Sequence, residues 1–200
     1  MIGLIDYGLG NLEAFSKILK ESNIPFKICS TEKCLVDCTK YILPGVGAFD
    51  DAVHKIRNLS YYERLLDEIK VKKKPILGIC IGMHAFGKSS EEGNNIGLGI
   101  LNFSVKKFSD DSIKIPHMGW NSISCHSKDR IMDGLNAEEG FYFLHSYFVE
   151  DIPEENILTT SFYGKKFVSG FVFDNIYGFQ FHPEKSHTNG DQLIKNFANL

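Results

Sequence analysis

The chain contains 200 residues, of which 43% are hydrophobic and 24% are charged, and its formal net charge is -3. A single domain of this length buries roughly 70% of the surface that its unfolded chain exposes, which is enough for a substantial core. We find no internal repeat, low-complexity run or flexible linker, so we expect one domain over residues 1–200. The small net charge gives no electrostatic reason to expect a nucleic acid or a membrane as a partner.

The N-terminus and the cysteines indicate a cytoplasmic protein without a disulfide framework. The first residues lack the basic segment, apolar core and cleavage site of a secretory signal, and no stretch reaches the ~20 apolar residues of a membrane span. The five cysteines, an odd number, lie at positions 29, 34, 38, 80 and 125. The first three contain no Cys-x-x-Cys pair and no evident fourth ligand, so we expect neither a metal nor another cofactor.

The first half of the chain alternates apolar strands with amphipathic helices. A strand over Ile2–Asp6 runs into a glycine-containing turn, and Asn11 is suited to cap a helix whose apolar residues recur at helical spacing. Because strands that alternate with helices form βαβ crossovers, this half predicts a parallel sheet. The other predicted elements are strands at 26–30, 41–43 and 75–79 and helices around 52–56 and 62–71.

The second half is dominated by strand-like segments. Short connections at 163–165 and 174–175 are typical of hairpins, and a last helix is predicted over 192–200. We therefore predict an α/β fold in which helices flank a mostly parallel central sheet and antiparallel strands are added late in the chain. The strand-like segments are 141–144, 157–162, 167–173 and 177–181.

Gly78–Gly82, with the sequence Gly-Ile-Cys-Ile-Gly, directly follows a predicted buried strand. It has the form of a nucleophile elbow in which Cys80 replaces serine, since a sharp strand-to-helix turn exposes the central side chain and glycines let the backbone crowd around it. A helix that begins at the cysteine favours the thiolate. The alternative is a buried cysteine in a glycine-rich turn, and this segment alone leaves both interpretations open.

His182 and Glu184 supply the partners that a cysteine nucleophile needs. A base must accept and return a proton, and a further group must orient that base. His182 lies at the end of a predicted strand, and Glu184 falls on the same side because strands have a period of two. A histidine at a strand end is often only a surface residue, but this pair together with an elbow cysteine predicts a catalytic triad.

Pro44–Gly47, Pro-Gly-Val-Gly, follows another predicted core strand. Acyl transfer needs hydrogen-bond donors for the developing oxyanion, and glycines allow peptide N–H groups to approach a substrate and to reorient. We therefore interpret Gly45, Val46 and Gly47 as an oxyanion loop, with an ordinary strand-ending turn as the alternative.

These segments together resemble the class I, triad-type glutamine amidotransferases. Within that class they are most similar to the family of glutaminase subunits of imidazole glycerol phosphate synthase, an enzyme of histidine biosynthesis. The elbow and the His-Pro-Glu segment are shared by the whole class. The resemblance runs nearly end to end, through Asp6–Asn11, Leu43–Phe49, Leu77–Met83, Ser90–Glu92, Gly97–Gly99, Pro116–Asn121, His145–Tyr147 and Gln180–Ser186.

The resemblance implies that the Cys80 thiolate attacks the side-chain amide of L-glutamine. His182 then protonates the departing ammonia and later activates water, while Glu184 orients the imidazole. The resemblance also implies that the peptide N–H groups of the oxyanion loop and of Ile81 stabilise the oxyanion. It further implies that the substrate is bound by Glu92, which receives the amino group, and by His84, His145 and Ser146.

The resemblance also implies a partner, because no second domain is present to consume ammonia. That partner is a separate (β/α)8-barrel cyclase subunit, which would take up the ammonia before it meets bulk water. The family pattern places Asn11, Trp120 and Lys185 near the interface. Trp120, the single tryptophan of the chain, is equally compatible with a place in the core, although aromatic residues are enriched at interfaces.

His84 departs from the family pattern, in which glutamine usually follows Gly-Met after the elbow. Histidine still forms hydrogen bonds, but its geometry and charge differ. The change is compatible with altered glutamine binding, or with a paralogue that feeds another cyclase-like partner, for instance in amidino-sugar synthesis. A partner-independent cysteine hydrolase or stress-response protein is a further alternative. A catalytically inactive binding module is disfavoured by the intact triad.

Overall fold

The computed structural model describes residues 1–109 and 112–200, and in that part of the chain eleven strands form one large sheet. The strand order is β2-β1-β3-β4-β13-β12-β10-β6-β5, with β11 paired to β12 and β8 paired to β11. The strands are β1 Ile2–Ile5, β2 Phe26–Cys29, β3 Lys40–Leu43, β4 Ile76–Ile79, β5 Ser89–Ser90, β6 Ser104–Lys107, β7 His117–Asn121, β8 Ser124–Cys125, β9 Phe141–His145, β10 Tyr147–Glu150, β11 Ile157–Tyr163, β12 Lys165–Phe173 and β13 Ile176–Phe179.

Helices lie between the strands and cover the sheet. Asn11 caps the first helix as expected, since its side chain accepts a hydrogen bond from the N–H of Ala14 at 3.1 Å. In the described residues no helix is long and apolar enough to cross a bilayer. The α-helices are α1 Leu12–Glu21, α2 Phe49–Arg57, α3 Tyr62–Leu66, α4 Ile81–His84 and α5 His187–Ala198; a π-helical turn covers Asp67–Val71, and 3-10 turns cover Glu32–Leu35, Arg130–Met132, Glu154–Asn156 and Pro183–Lys185.

The sheet has a hydrophobic core on each face. Neighbouring residues of one strand point to opposite faces, so Leu4 joins the core that includes Phe15 of α1, while Ile5 joins the core that includes Phe49 of α2. A strand buried on both faces reads as a continuous apolar run, which is why β1 was predictable.

Four parallel strands bring the motif segments to one edge of the sheet. β1, β3, β4 and β13 are mutually parallel neighbours, in the order given above. Their carboxyl ends therefore meet, and at this edge of an open α/β sheet ligands commonly bind. The predicted α/β class, with a mostly parallel central part and antiparallel β12, β11, β10 and β6, is confirmed.

Several predicted elements differ in extent from the structure, for example the helix expected around 52–56, which is α2 Phe49–Arg57. α5 begins at His187 rather than at 192, because its polar first turn includes Asn189, which is buried and donates to the carbonyls of Asn136 and Gly140. Hydrophobic spacing does not detect such a turn. β13 ends at Phe179 instead of 181, and the helix expected over 62–71 is a short α-helix that continues as a π-turn. β7 and β9 form a separate two-stranded ribbon.

Candidate active site

Cys80 lies in the sharp turn between β4 and α4. Its backbone has φ +52° and ψ -113°, a conformation that non-glycine residues adopt only under constraint. Its N–H donates to the carbonyl of Phe179 at 2.8 Å, which ties the turn to β13. A side chain at Gly82 would collide with the carbonyl oxygen of Leu43, so glycine is required for the turn to pack against β3. The backbone therefore makes the sharp strand-to-helix turn that was predicted, with Cys80 between β4 and α4.

His182 and Glu184 form a buried pair beside β13. Nδ1 of His182 lies 2.8 Å from Oε1 of Glu184, and the two side chains are 1% and 2% exposed. The backbone of His182 is fixed on both sides, because its N–H donates to the carbonyl of Tyr142 at 2.8 Å and its carbonyl accepts from the Ser186 hydroxyl at 2.6 Å. The carboxylate thus orients the imidazole, and the backbone holds the orientation.

The electrostatics of this pair favour the imidazolium. Burial disfavours the charged ring, but the negative charge of the Cys80 thiolate and the hydrogen bond to Glu184 outweigh burial and raise the pKa of His182 to about 10. Nε2 of His182 has no hydrogen-bond partner among the described atoms. The free Nε2 is the nitrogen available for proton transfer.

The oxyanion loop packs directly over the elbow. Gly45 leaves no room for a side chain, since a Cβ there would meet the side chain of Ile81 and the hydroxyl of Tyr7. That hydroxyl donates to the carbonyl of Pro44 at 2.6 Å and so holds the start of the loop. Gly47 has φ +127°, in the region that favours glycine, and it is exposed.

A pocket of about 240 Å³ opens over Cys80. It brings together all the predicted catalytic and substrate-binding residues except Gly45 and Glu184, which do not line it. The pocket is lined by Val46, Gly47, Cys80, Ile81, His84, Glu92, Pro116, Leu144, His145, Ser146, Tyr147 and His182.

Glu92 forms the acidic part of the pocket wall. Its Oε2 accepts a hydrogen bond from the N–H of Phe49, the first residue of α2, at 3.1 Å. Burial raises the pKa of the Glu92 carboxyl, the hydrogen bond from Phe49 acts in the opposite direction, and the charge of Asp50 adds to the rise. A carboxylate held in this way suits the ammonium group of an amino-acid substrate.

His145 is engaged by the protein on both ring nitrogens. Nδ1 lies 2.7 Å from the carbonyl of Tyr147, and Nε2 lies 3.0 Å from Nδ1 of His117. Since a carbonyl only accepts, Nδ1 of His145 carries the proton and Nε2 accepts from His117. Burial moves the pKa of His145 well below its ordinary value, so the ring is neutral at pH 7. Because both ring nitrogens are engaged, the predicted contact of His145 with substrate would be made by its backbone or its ring carbons.

His84 lines the pocket but is almost fully buried, with 2% of its surface exposed. Its Nε2 lies 2.8 Å from Oε1 of Gln180, and burial lowers the pKa of its ring to about 4. The resemblance implies a contact with substrate at this position. In the structure the hydrogen-bond partner of the His84 ring is Gln180.

The three residues predicted for a partner interface lie outside the pocket, on the surface. Trp120 on β7 is 48% exposed, which excludes a place in the core, and its ring stacks on that of His187 with 5.3 Å between centroids. Asn11 is exposed at the start of α1, and the exposed Lys185 places its Nζ 5.5 Å from the ring centroid of Tyr142. Their role at an interface stays a prediction.

Sequence reasoning assigned no role to two residues that shape the site, Gln180 and Tyr7. Gln180 is buried and directs its amide nitrogen at the Cys80 sulfur, 3.7 Å away. The available signal was its position two residues before His182, which puts both on one side of an extended chain. Nothing in the sequence indicates that the hydroxyl of Tyr7 anchors the oxyanion loop, 37 residues away.

Comparison with known proteins agrees with this geometry. A family model described as class-I glutamine amidotransferase matches residues 4–199. The chain belongs to the class-I glutamine amidotransferases. A protein of Leptospira borgpetersenii named imidazole glycerol phosphate synthase subunit HisH is 45% identical, over 100% of both chains. Another, from Pseudomonas aeruginosa and named imidazole glycerol phosphate synthase subunit HisH 2, is 40% identical, again over 100% of both chains.

Solved structures share the fold of this chain. The chain resembles PurLQS from Thermotoga maritima with a TM-score of 0.75 and 17% identity, covering 99% of this chain and 97% of that one. It also resembles a glutamine amidotransferase from Thermotoga maritima with a TM-score of 0.64 and 22% identity, covering 99% of this chain and 82% of that one. At these identities the likeness concerns the fold alone.

Proposed function

We propose that the chain is the glutaminase subunit of imidazole glycerol phosphate synthase, which hydrolyses L-glutamine to glutamate and ammonia for histidine biosynthesis. The observation that carries this proposal is the elbow thiol of Cys80 in one pocket with the buried His182–Glu184 pair. The names of relatives 40% and 45% identical over their full length support the choice of this amidotransferase.

In the first half of the reaction, the Cys80 thiolate attacks the side-chain amide carbon of glutamine. The negative charge moves to the amide oxygen, which the N–H groups of the oxyanion loop and of Ile81 stabilise. The imidazolium of His182 gives its Nε2 proton to the nitrogen as the C–N bond breaks. Ammonia leaves, and a thioester remains on Cys80.

In the second half, neutral His182 accepts a proton from water, and the hydroxide attacks the thioester carbon. Collapse of the tetrahedral intermediate breaks the C–S bond, releases glutamate and returns the thiolate facing the imidazolium. Glu184 supports the positive ring in both halves, since its carboxylate contacts Nδ1 throughout. Proton transfer of this kind contributes typically ~10²–10⁴-fold to the rate.

The ammonia then passes to a (β/α)8-barrel cyclase subunit. Free ammonia in bulk water would be protonated and lost as a nucleophile, so its transfer requires a sealed contact between the two chains. We assign Asn11, Trp120 and Lys185 to that contact. Their exposure supports the assignment, as does the aromatic surface of Trp120, a residue type enriched at interfaces.

Two measurements test the proposal. A diazoketone analogue of glutamine should label wild-type protein on the Cys80 peptide, and the label should be lost in Cys80→Ala. In the second measurement, ammonia release from glutamine should rise when the histidine-pathway cyclase of the same organism is added. Labelling of Cys80→Ala at the wild-type rate contradicts the glutaminase chemistry. Normal labelling without stimulation by the cyclase contradicts only the pathway.

A further inference from the structure

Gln180 lies between the buried ring of His84 and the sulfur of Cys80. Its Oε1 is 2.8 Å from Nε2 of His84, and its Nε2 is 3.7 Å from Sγ of Cys80. Gln180 and His84 are both almost fully buried, at 0% and 2% exposure. The three residues therefore form a continuous chain of contacts that ends at the reacting atom.

The direction of this chain follows from the chemistry of its first member. Burial lowers the pKa of His84 to about 4, so the ring is neutral at physiological pH and carries one N–H. With that proton on Nε2, His84 donates to the amide oxygen of Gln180, and the amide N–H₂ must then face the sulfur. The reverse amide orientation would bring an oxygen towards the thiolate and an N–H₂ group towards the His84 donor. Both contacts would be unfavourable.

The backbone keeps His84 in this position. It lies four residues after Cys80, and its N–H donates to the Cys80 carbonyl at 3.0 Å, so one helical turn places the ring next to the elbow. Gln180 is fixed by its N–H, which donates to the carbonyl of Ser169 at 3.0 Å. Because both backbones are held, the side chains meet without a large loss of rotamer freedom.

We propose that His84 is a positioning residue that acts through Gln180: its ring fixes the Gln180 amide so that an N–H faces the Cys80 sulfur and stabilises the thiolate. This inference rests on the proposed glutaminase function. It gives the histidine at this position a role other than substrate contact, and it makes Gln180 part of the sulfur's immediate surroundings. Among the described residues, Tyr7 and His182 interact electrostatically with Cys80, and His145 interacts with His84.

The test compares two replacements of His84 that differ in one property. Glutamine retains a donor that reaches Oε1 of Gln180, whereas methionine has similar volume and no donor. The readout is the pH dependence of Cys80 alkylation by iodoacetamide in the complex with the cyclase, followed by mass spectrometry of the Cys80 peptide. We expect His84→Met to move the midpoint upward by about one pH unit, a roughly tenfold loss of thiolate at a given pH, and His84→Gln to restore most of the shift.

Gln180→Leu provides the second arm, because it removes the donor itself. It should shift the alkylation midpoint by about as much as His84→Met, and the double variant should shift it no further, since both changes interrupt one chain. In glutamine hydrolysis, kcat should fall with KM within about twofold of wild type. A thermal melt shows whether His84→Met folds. If it does not, the inference is tested by comparing the alkylation midpoint of Gln180→Leu with that of wild type.

Three outcomes would overturn the inference. The first is a raised KM in His84→Met with an unchanged alkylation profile, which indicates direct contact with substrate. The second is additive shifts in the double variant, and the third is an unmoved midpoint in Gln180→Leu. Because iodoacetamide alkylation needs no glutaminase activity, the profile remains interpretable even if wild type releases no ammonia. A wild type that releases no ammonia counts against the proposed function. The role of His84 is then decided by the pH dependence of Cys80 alkylation alone.

Discussion

Two walls of the pocket bury histidines under opposite electrostatic conditions. On the β13 side, His182 faces Glu184 and the Cys80 thiolate, and its pKa rises to about 10. On the β7–β9 ribbon, His117 and His145 face each other and neutral partners, and burial lowers the pKa of His117 to about 4. Both walls are formed by nearly inaccessible rings, at 1% to 6% exposure, so burial alone does not separate them.

The difference shows what a buried histidine needs to serve as an acid. Desolvation disfavours the imidazolium everywhere, and only a nearby negative charge reverses its effect. A ring that meets an amide or a carbonyl stays neutral and serves as a fixed hydrogen-bond donor, as His84 does towards Gln180. In the proposed mechanism the β13 wall therefore supplies the proton, while the neutral rings of the ribbon shape the pocket.

The strongest test of this difference is removal of the ring on each wall. His182→Ala should lower kcat/KM for glutamine hydrolysis by at least about 10³-fold, since it removes the group that, in the proposed mechanism, protonates ammonia and activates water. His117→Phe keeps an aromatic ring on the ribbon and removes the ring's hydrogen bonds to His145 and Asn121, neither of which belongs to the proposed triad, so its loss should stay below about tenfold. Steady-state assays of the complex measure both. Equal losses would remove the distinction between the walls.

The charge on Glu184 should account for much of the contrast. Glu184→Gln removes the negative charge that helps hold His182 protonated, so the pKa of His182 should fall and the alkaline limb of the pH–rate profile should move to lower pH. An amide can also donate to Nδ1 and select the wrong tautomer, so we expect kcat to fall by about 10²-fold or more. The profile of kcat/KM between pH 6 and 10 measures this. An unmoved alkaline limb would show that Glu184 does not support the charge.

Much of the β13 wall was predictable because its signals are local. The elbow glycines around Cys80 and the closeness of His182 to Glu184 are visible in a few consecutive residues. The expected reason for the second contact was wrong, because β13 ends at Phe179 and the 3-10 turn Pro183–Lys185, not a strand period of two, brings Glu184 to the ring. The apolar runs of β1, β3 and β4 predict buried parallel strands, which bring these segments to one edge. Local steric rules and short sequence separation thus made this part of the site predictable.

The ribbon was harder to predict because its contacts are distant and its sequence is mixed. The sequence of β7 shows no alternation of apolar and polar residues. It pairs with β9, in which the partner of His117 is His145, 28 positions away. The bond from His84 to Gln180 spans 96 positions. No local pattern reports on such contacts, so the neutral state of these histidines and the part played by Gln180 emerged only from the folded chain.

Buried histidines with lowered and with raised pKa values should also make the free energy of unfolding depend on pH with opposite sign, as His84 of α4 and His182 illustrate. His84 has a folded-state pKa of about 4, below its ordinary 6.5, so the unfolded chain binds more protons between these values and the free energy of unfolding falls as pH drops from 6.5 to 4. His182, with a folded-state pKa of about 10, contributes stability that is complete below 6.5 and is lost as pH rises through 10.

Each of two substitutions should reduce the pH dependence of the free energy of unfolding on one side, acidic or alkaline. We expect His84→Gln to reduce the loss of unfolding free energy between pH 7 and 4 by about 1–3 kcal/mol and to leave the alkaline limb unchanged. Glu184→Gln should flatten the alkaline limb only. Urea denaturation at a series of pH values measures both. If His84→Gln altered the alkaline limb instead, the neutral assignment of His84 would be wrong.

The smallest effect is expected outside the pocket, at Trp120 on the outer surface of the ribbon. The ring is 48% exposed and contacts His187, so Trp120→Ala should change the free energy of unfolding by less than about 1 kcal/mol and leave the alkylation profile of Cys80 unmoved. Binding to the cyclase, measured by calorimetry, should weaken by about tenfold if this surface forms the interface. Val71→Ala is the control, because Val71 is 72% exposed and lies in the π-helical turn Asp67–Val71, which is not part of the ribbon. If only Trp120→Ala binds the cyclase more weakly, the ribbon has two functional faces: one carries the neutral histidines of the pocket, and the other binds the partner. If both variants bind equally well, the outer face of the ribbon is not part of the interface.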